Sequence, residues 1–159
     1  MRNICAALLA LVLTSLSRAE ETHSLHSYKR YAVRPSATEP TAPLRLTRQQ
    51  DREFETALRQ SYRRRANFAG HHVLATIGCG ASCVLVAALD KRSGRVSWLP
   101  FTVCCWPEPY QEPVRFRADS ELLVLHGQRD EQGSAGPHYY RFHGGTFEPV
   151  ESSLKAAAH

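Results

Sequence analysis

Four cysteines, Cys79, Cys83, Cys104 and Cys105, fall within a window of 27 positions, downstream of a start that reads as an export leader. Met1-Arg2, an apolar run from Ile4 to Leu13 and the small-residue close Ser17-Arg18-Ala19 are the three parts of a signal peptide, with cleavage expected after Ala19. The apolar run is shorter than the ~20 residues a membrane-crossing helix needs, so no membrane span is expected after the leader is removed. Cys5 leaves with the leader, and the mature chain keeps an even set of four thiols. The expected address is periplasmic or secreted, where thiols oxidise.

Pairing is not fixed by spacing, since four cysteines allow three connectivities. A Cys79–Cys83 bridge needs a sharp reversal, which Gly78 and Gly80 permit, but it leaves Cys104 and Cys105 to form a strained vicinal ring or stay free. Two bridges crossing from Cys79 and Cys83 to Cys104 and Cys105 close loops of about 21 to 26 residues, each worth ~3 kcal/mol in the chain-entropy picture. The crossing pairs are the expectation. Zinc is the competing use of four cysteines, but adjacent Cys104 and Cys105 would point apart in a strand, so no metal and no cofactor are expected.

The 159 residues less the leader make one domain, not two. Residues 20–44 carry Pro35, Pro40 and Pro43 without an apolar period and read as a disordered or linker segment; residues 45–150 form the domain and 151–159 a tail. With Arg2 and Arg18 lost, the cationic excess falls to +3, concentrated before Arg65. Thr47 with Gln50 matches a capping box, and Phe54, Ala57, Leu58, Ser61 and Tyr62 recur at helical spacing. Arg63-Arg64-Arg65 closes that helix where cations suit its dipole. Without interleaved aromatics the triplet does not read as a nucleic-acid site.

Strands are expected at His71–Ile77, Cys83–Leu89, Val96–Val103 and Leu122–Leu125, with turn residues at Asp90–Gly94 and a Gly144-Gly145 hairpin within Tyr139–Val150. Consecutive, hairpin-linked strands after one helix predict an α+β fold: an antiparallel β-meander with one N-terminal helix, braced by disulfides.

Asn67-Phe68-Ala69-Gly70-His71, followed by Gly78-Cys79-Gly80-Ala81-Ser82-Cys83 and by Arg117-Ala118-Asp119-Ser120-Glu121-Leu122-Leu123, resembles a family of small secreted bacterial proteins of uncharacterised function. Two positions depart from its phrases: His72 stands where that family has an aromatic, and Ile77 where it has Trp. The resemblance implies a fold and an exported address rather than an activity.

No Gly-x-Ser-x-Gly elbow, P-loop, His-Glu-x-x-His or dinucleotide fingerprint occurs. Asp119 and Glu121 read as turn and edge residues, and no catalytic residue is assigned. The expected function is a non-catalytic binding or inhibitory module for a macromolecular or envelope partner. Trp98, Phe101, Trp106 and Tyr110, beside Cys104-Cys105, are candidate contact residues, joined by His71 and His72. Two alternatives carry sharper chemistry. One is a hydrolase using Cys79 or Cys83 with His71 as base; the other is a metal-binding periplasmic protein, against which stands the rule that His71 and His72 diverge if both lie in a strand.

Overall fold

The computed structural model describes residues 27–36, 41–108 and 111–150. The expected leader and tail, and Tyr110, lie outside them. Apart from a short 3-10 turn at Tyr28–Tyr31, the elements are two helices, α1 (Gln49–Glu53) and α2 (Glu55–Tyr62), followed by nine strands. These are β1 (His72–Gly80), β2 (Cys83–Asp90), β3 (Val96–Trp98), β4 (Val103–Cys104), β5 (Val114–Arg115), β6 (Leu122–Leu125), β7 (Gln128–Arg129), β8 (His138–His143) and β9 (Thr146–Pro149). The architecture is mostly antiparallel sheet with few helices.

A single meander is not what the chain builds. One sheet runs β1-β2-β4-β7, with β3 also paired to β2, and a second runs β5-β6-β8-β9. The expected strand Val96–Val103 is two: Pro100 cannot donate to a ladder, so the chain leaves β2 after Trp98 and rejoins it at Val103. The expected single helix is likewise broken, at Phe54, whose backbone leaves the helical region with ψ at 19°.

Two apolar layers explain the composition of β1 and β2. Leu74, Val86 and Ala88 face Leu123, Leu125, Tyr140 and Phe142 of the second sheet, with Phe68 fully buried among them. Val73, Ala75, Ala87 and Leu89 alternate onto the other face, against Leu58, Tyr62 and Trp98. Both faces of the central hairpin are thus covered, and its strands read as continuous apolar runs. Gly144 and Gly145, at φ 59° and 86°, make the expected two-residue connection between β8 and β9.

Helix capping falls to a residue the sequence reading passed over. Asp51 is 1% exposed, and its Oδ2 accepts the N–H groups of Thr47 and Arg48 at 2.9 Å each, in place of the Thr47/Gln50 pair. The described part of the presumed linker is also docked. Ala32 bridges Ser120, Val33 N–H donates to Asp119 O, Ser36 N–H to Gly70 O and Ala42 N–H to Lys91 O. This strap satisfies backbone groups in the turns that flank β1, β2 and β6, so residues 27–36 and 41–44 are not free of the strands they precede.

Candidate functional site

The Asn67–His71 phrase is a clamp. Asn67 Oδ1 accepts Leu74 N–H at 2.8 Å, and the N–H groups of Ala69 and Gly70 donate to Ser120 O and Ala118 O. Ser120, 0% exposed, in turn donates through Oγ to Tyr28 O and approaches Tyr31 O. The Asn67 and Arg117 phrases, 50 positions apart, therefore meet in space. Ala69 and Gly70 take positive φ, 45° and 82°, which turns the chain hard before β1 begins.

That turn decides where the histidines go. β1 starts at His72, so His71 lies outside the strand and the alternation rule does not separate the pair. Their ring centroids are 4.2 Å apart. Asp90 is the cross-strand partner of His72, and its Oδ1 lies 3.5 Å from His71 Nε2. One ligand atom from each of His71, His72 and Asp90 falls within 4.8 Å of the others. The expectation that the two histidines diverge is corrected.

A one-residue bulge sets this register. Gly78 pairs with Val84 and Gly80 with Cys83, leaving Cys79 as the extra residue. Without it, counting back from Gly80–Cys83 would put Lys91 rather than Asp90 opposite His72.

The three residues line a cleft of about 310 Å³ between the sheets, with Glu121, Phe142 and His143 on its far wall. Glu121 Oε2 accepts Arg141 Nε at 2.8 Å and its Oε1 lies 3.3 Å from His143 Nδ1. Asp119 pairs instead with Arg117, so the two carboxylates serve different partners, as turn and edge residues do. Arg95, Ser97, Gly144 and Gly145 connect the cleft to a second of about 480 Å³ that reaches Arg45 and Arg48.

Burial, reinforced by the adjacent His71, lowers the pKa of His72 and keeps the imidazole neutral. Its Nδ1 sits 3.3 Å from Ala69 O; as the donor in that contact it leaves the Nε2 lone pair free. Burial works against the charged form of Asp90, but the Ser93 hydroxyl and Arg92 N–H, with His72 and His71, outweigh it and hold the carboxyl below its usual range. The group is a carboxylate beside a neutral imidazole.

The other candidates scatter. Trp98 is buried against Phe54, with its indole N–H on Asp51, and the half-buried Phe101 packs on Tyr140. Trp106 is half-buried and Tyr110 lies outside the described residues. Cys79 is bridged to Cys83. It also sits seven positions along β1 from His72, some 23 Å at ~3.3 Å per residue, so a Cys79/His71 nucleophile and base do not share a site. The bridge is the local one, and the expected crossing pairs are not made: Cys104 is a buried thiol and Cys105 an exposed one.

Asp90, Glu121 and His143 are the site residues that sequence reading did not assemble. The usable signal for Asp90 was the hairpin, since it ends β2 where β1 begins.

Among the described residues no helix is long and apolar enough to cross a membrane. No family model matches the chain, and no curated protein or solved structure matches it.

Proposed function

We propose that the chain is an exported, disulfide-braced binding module, of the small secreted family its phrases resemble, and that its ligand is a divalent transition ion of the zinc type held by His71, His72 and Asp90. The observation that carries this reading is the convergence of two imidazoles and a carboxylate at the mouth of one cleft. Imidazole nitrogen and carboxylate oxygen are borderline donors suited to zinc, and three protein ligands leave a fourth position open. Donors at ~2.0 Å from a tetrahedral zinc stand about 3.3 Å apart, so a modest rotation of the half-buried His71 closes the observed spread. A neutral His72 and an ionised Asp90 are already in the protonation states a metal requires. The Ala69 carbonyl does for His72 what an outer-shell partner does for a metal-bound imidazole, fixing ring and tautomer. Binding, not turnover, is the function this supports, and the cleft replaces the aromatic loop as the contact site.

The test is zinc uptake by the mature chain in competition with a chromogenic chelator, on a Cys104→Ser/Cys105→Ser background so that thiols do not contribute. One zinc per chain is expected, with affinity reduced at least tenfold in His71→Ala and in Asp90→Asn. Thermal unfolding with and without zinc should show a midpoint rise in the parent that both variants lose. Absence of stoichiometric uptake, or uptake indifferent to both substitutions, overturns the reading.

A further inference from the structure

Away from the histidine cleft, four sulfurs occupy one corner where β1, β2 and β4 meet. Cys79 and Cys83 are bridged across the β1–β2 turn, and Cys83 is the direct ladder partner of Cys104. The ladder bonds fix what kind of partner. Cys105 N–H donates to Ser82 O at 3.2 Å, the bond that flanks the Cys83/Cys104 pair, so these two are a non-hydrogen-bonded pair. Such pairs bring opposing residues closest, with Cα atoms about 4.5 Å apart and side chains on one face, inside the range a disulfide spans. Cys104 Sγ also accepts a hydrogen bond from Cys105 Sγ at 2.9 Å. Cys105 has positive φ, 53°, which carries its side chain out of the ladder's alternation and back to its neighbour.

We propose that this corner is a thiol–disulfide exchange site, in which the bridge passes between Cys79–Cys83 and the cross-strand pair Cys83–Cys104. Cys104 gives its proton to solvent, and the thiolate attacks Cys83 Sγ. The Cys83–Cys104 bond forms as the Cys79–Cys83 bond breaks, and Cys79 leaves as a thiolate that takes up one proton. One disulfide and two thiols stand on each side, so no external oxidant or reductant is consumed. Cys104 is the attacking sulfur by placement, since it faces Cys83 across the ladder. Cys105 is a positioning residue: it is the donor in the sulfur contact, and that contact raises its own pKa so that it keeps its proton. The exchange moves a thiol from the buried Cys104 to the exposed Cys79, while the exposed Cys105 keeps its own. The corner thereby presents two thiols at the surface in one form and only one in the other.

The test uses the mature native chain, incubated without reductant from pH 6 to 9, quenched in acid, alkylated unfolded in acid and mapped by peptide mass spectrometry. Two links are expected, Cys79–Cys83 with free 104 and 105, and Cys83–Cys104 with free 79 and 105. The second should approach its final level faster as pH rises. Cys104→Ser should carry the first link alone. Cys105→Ser should keep both, with a changed rate of approach. A Cys79–Cys83 link alone at every pH overturns the proposal. So does a mixture holding Cys79–Cys104, Cys79–Cys105 and Cys83–Cys105 in comparable amounts, which is scrambling in unfolded chains.

Discussion

Trp98 Nε1 donates a 2.8 Å hydrogen bond to Asp51 Oδ1 in the layer between the helices and the first sheet, 47 positions away in sequence. The other oxygen of the same carboxylate takes two backbone N–H groups at the start of α1. One buried anion therefore ends a helix and seats it on β3 at once, and no buried side-chain polar atom among the described residues is left without a partner.

Asp51→Ala removes the acceptor from three donors, of which the indole is buried. Hydrogen bonds to charged groups contribute about 1.5–3 kcal/mol each, and stranded donors add their desolvation cost. The expected loss is about 3 kcal/mol or more in urea unfolding. Asp51→Asn keeps one acceptor oxygen and should lose less. Trp98→Phe, which leaves the helix cap intact, should also lose less than Asp51→Ala.

Gly94 closes the β2–β3 turn at φ 73°, and a Cβ placed there would lie 1.9 Å from Pro43 O. Its carbonyl accepts Arg45 N–H at 2.8 Å, so strap and turn meet backbone to backbone here. Gly94→Ala combines positive-φ strain, about 1–3 kcal/mol, with that overlap. The variant should lose at least 2 kcal/mol of stability, and hydrogen exchange at Ala42 and Arg45 should rise well above the global opening rate.

Stability should fall on mild acidification. His72 has a lowered pKa through burial, as has His126, so below pH 6.5 the unfolded chain takes up protons that the folded chain resists. The stabilisation is complete above the unfolded value and is lost as pH falls through the folded one. Asp90, held below 3.8, adds a second loss of the same sign in stronger acid. Denaturation midpoints at pH 7.5 and 5.5 should differ in the parent, and His72→Gln should reduce that difference. An unchanged difference in the variant would clear His72 of any part in it.

Period and punctuation carried much of the fold. Short apolar runs located β1, β2 and β6, and two glycines located the β8–β9 turn, because these features are local. What escaped was non-local. Pro100 splits a strand whose halves both pair β2, a fact about the partner rather than the run. The strap from Ser27 to Ser36 has no apolar period because it docks through backbone groups, which every sequence supplies. The site was half-legible: His71 and His72 were visible as a pair, but their convergence depends on Ala69 and Gly70 delaying the strand by one residue. Asp90 reached them only through a bulge at Cys79, and no periodicity reports a bulge.

The Cys79–Cys83 bridge closes a loop of five residues, for which the chain-entropy picture gives about 2 kcal/mol, less than the ~3 of the crossing pairs. Cys79 is also the residue that shifts the β1–β2 register, and a bulge residue needs no ladder hydrogen bond of its own. Removing the sulfurs while keeping the residue count should therefore lower stability and leave register alone. Cys79→Ser/Cys83→Ser, compared with the parent in urea, should lose about 2 kcal/mol. Its nuclear Overhauser contacts between His72 and Asp90 should persist. Deleting Cys79 outright removes only that extra residue: Gly78–Val84 and Gly80–Cys83 become consecutive ladder pairs, His72 stays opposite Asp90, and zinc uptake should persist in the molecules that fold. Loss of the His72–Asp90 contacts in the deletion variant would show that the pairs flanking Cys79 do not set the register.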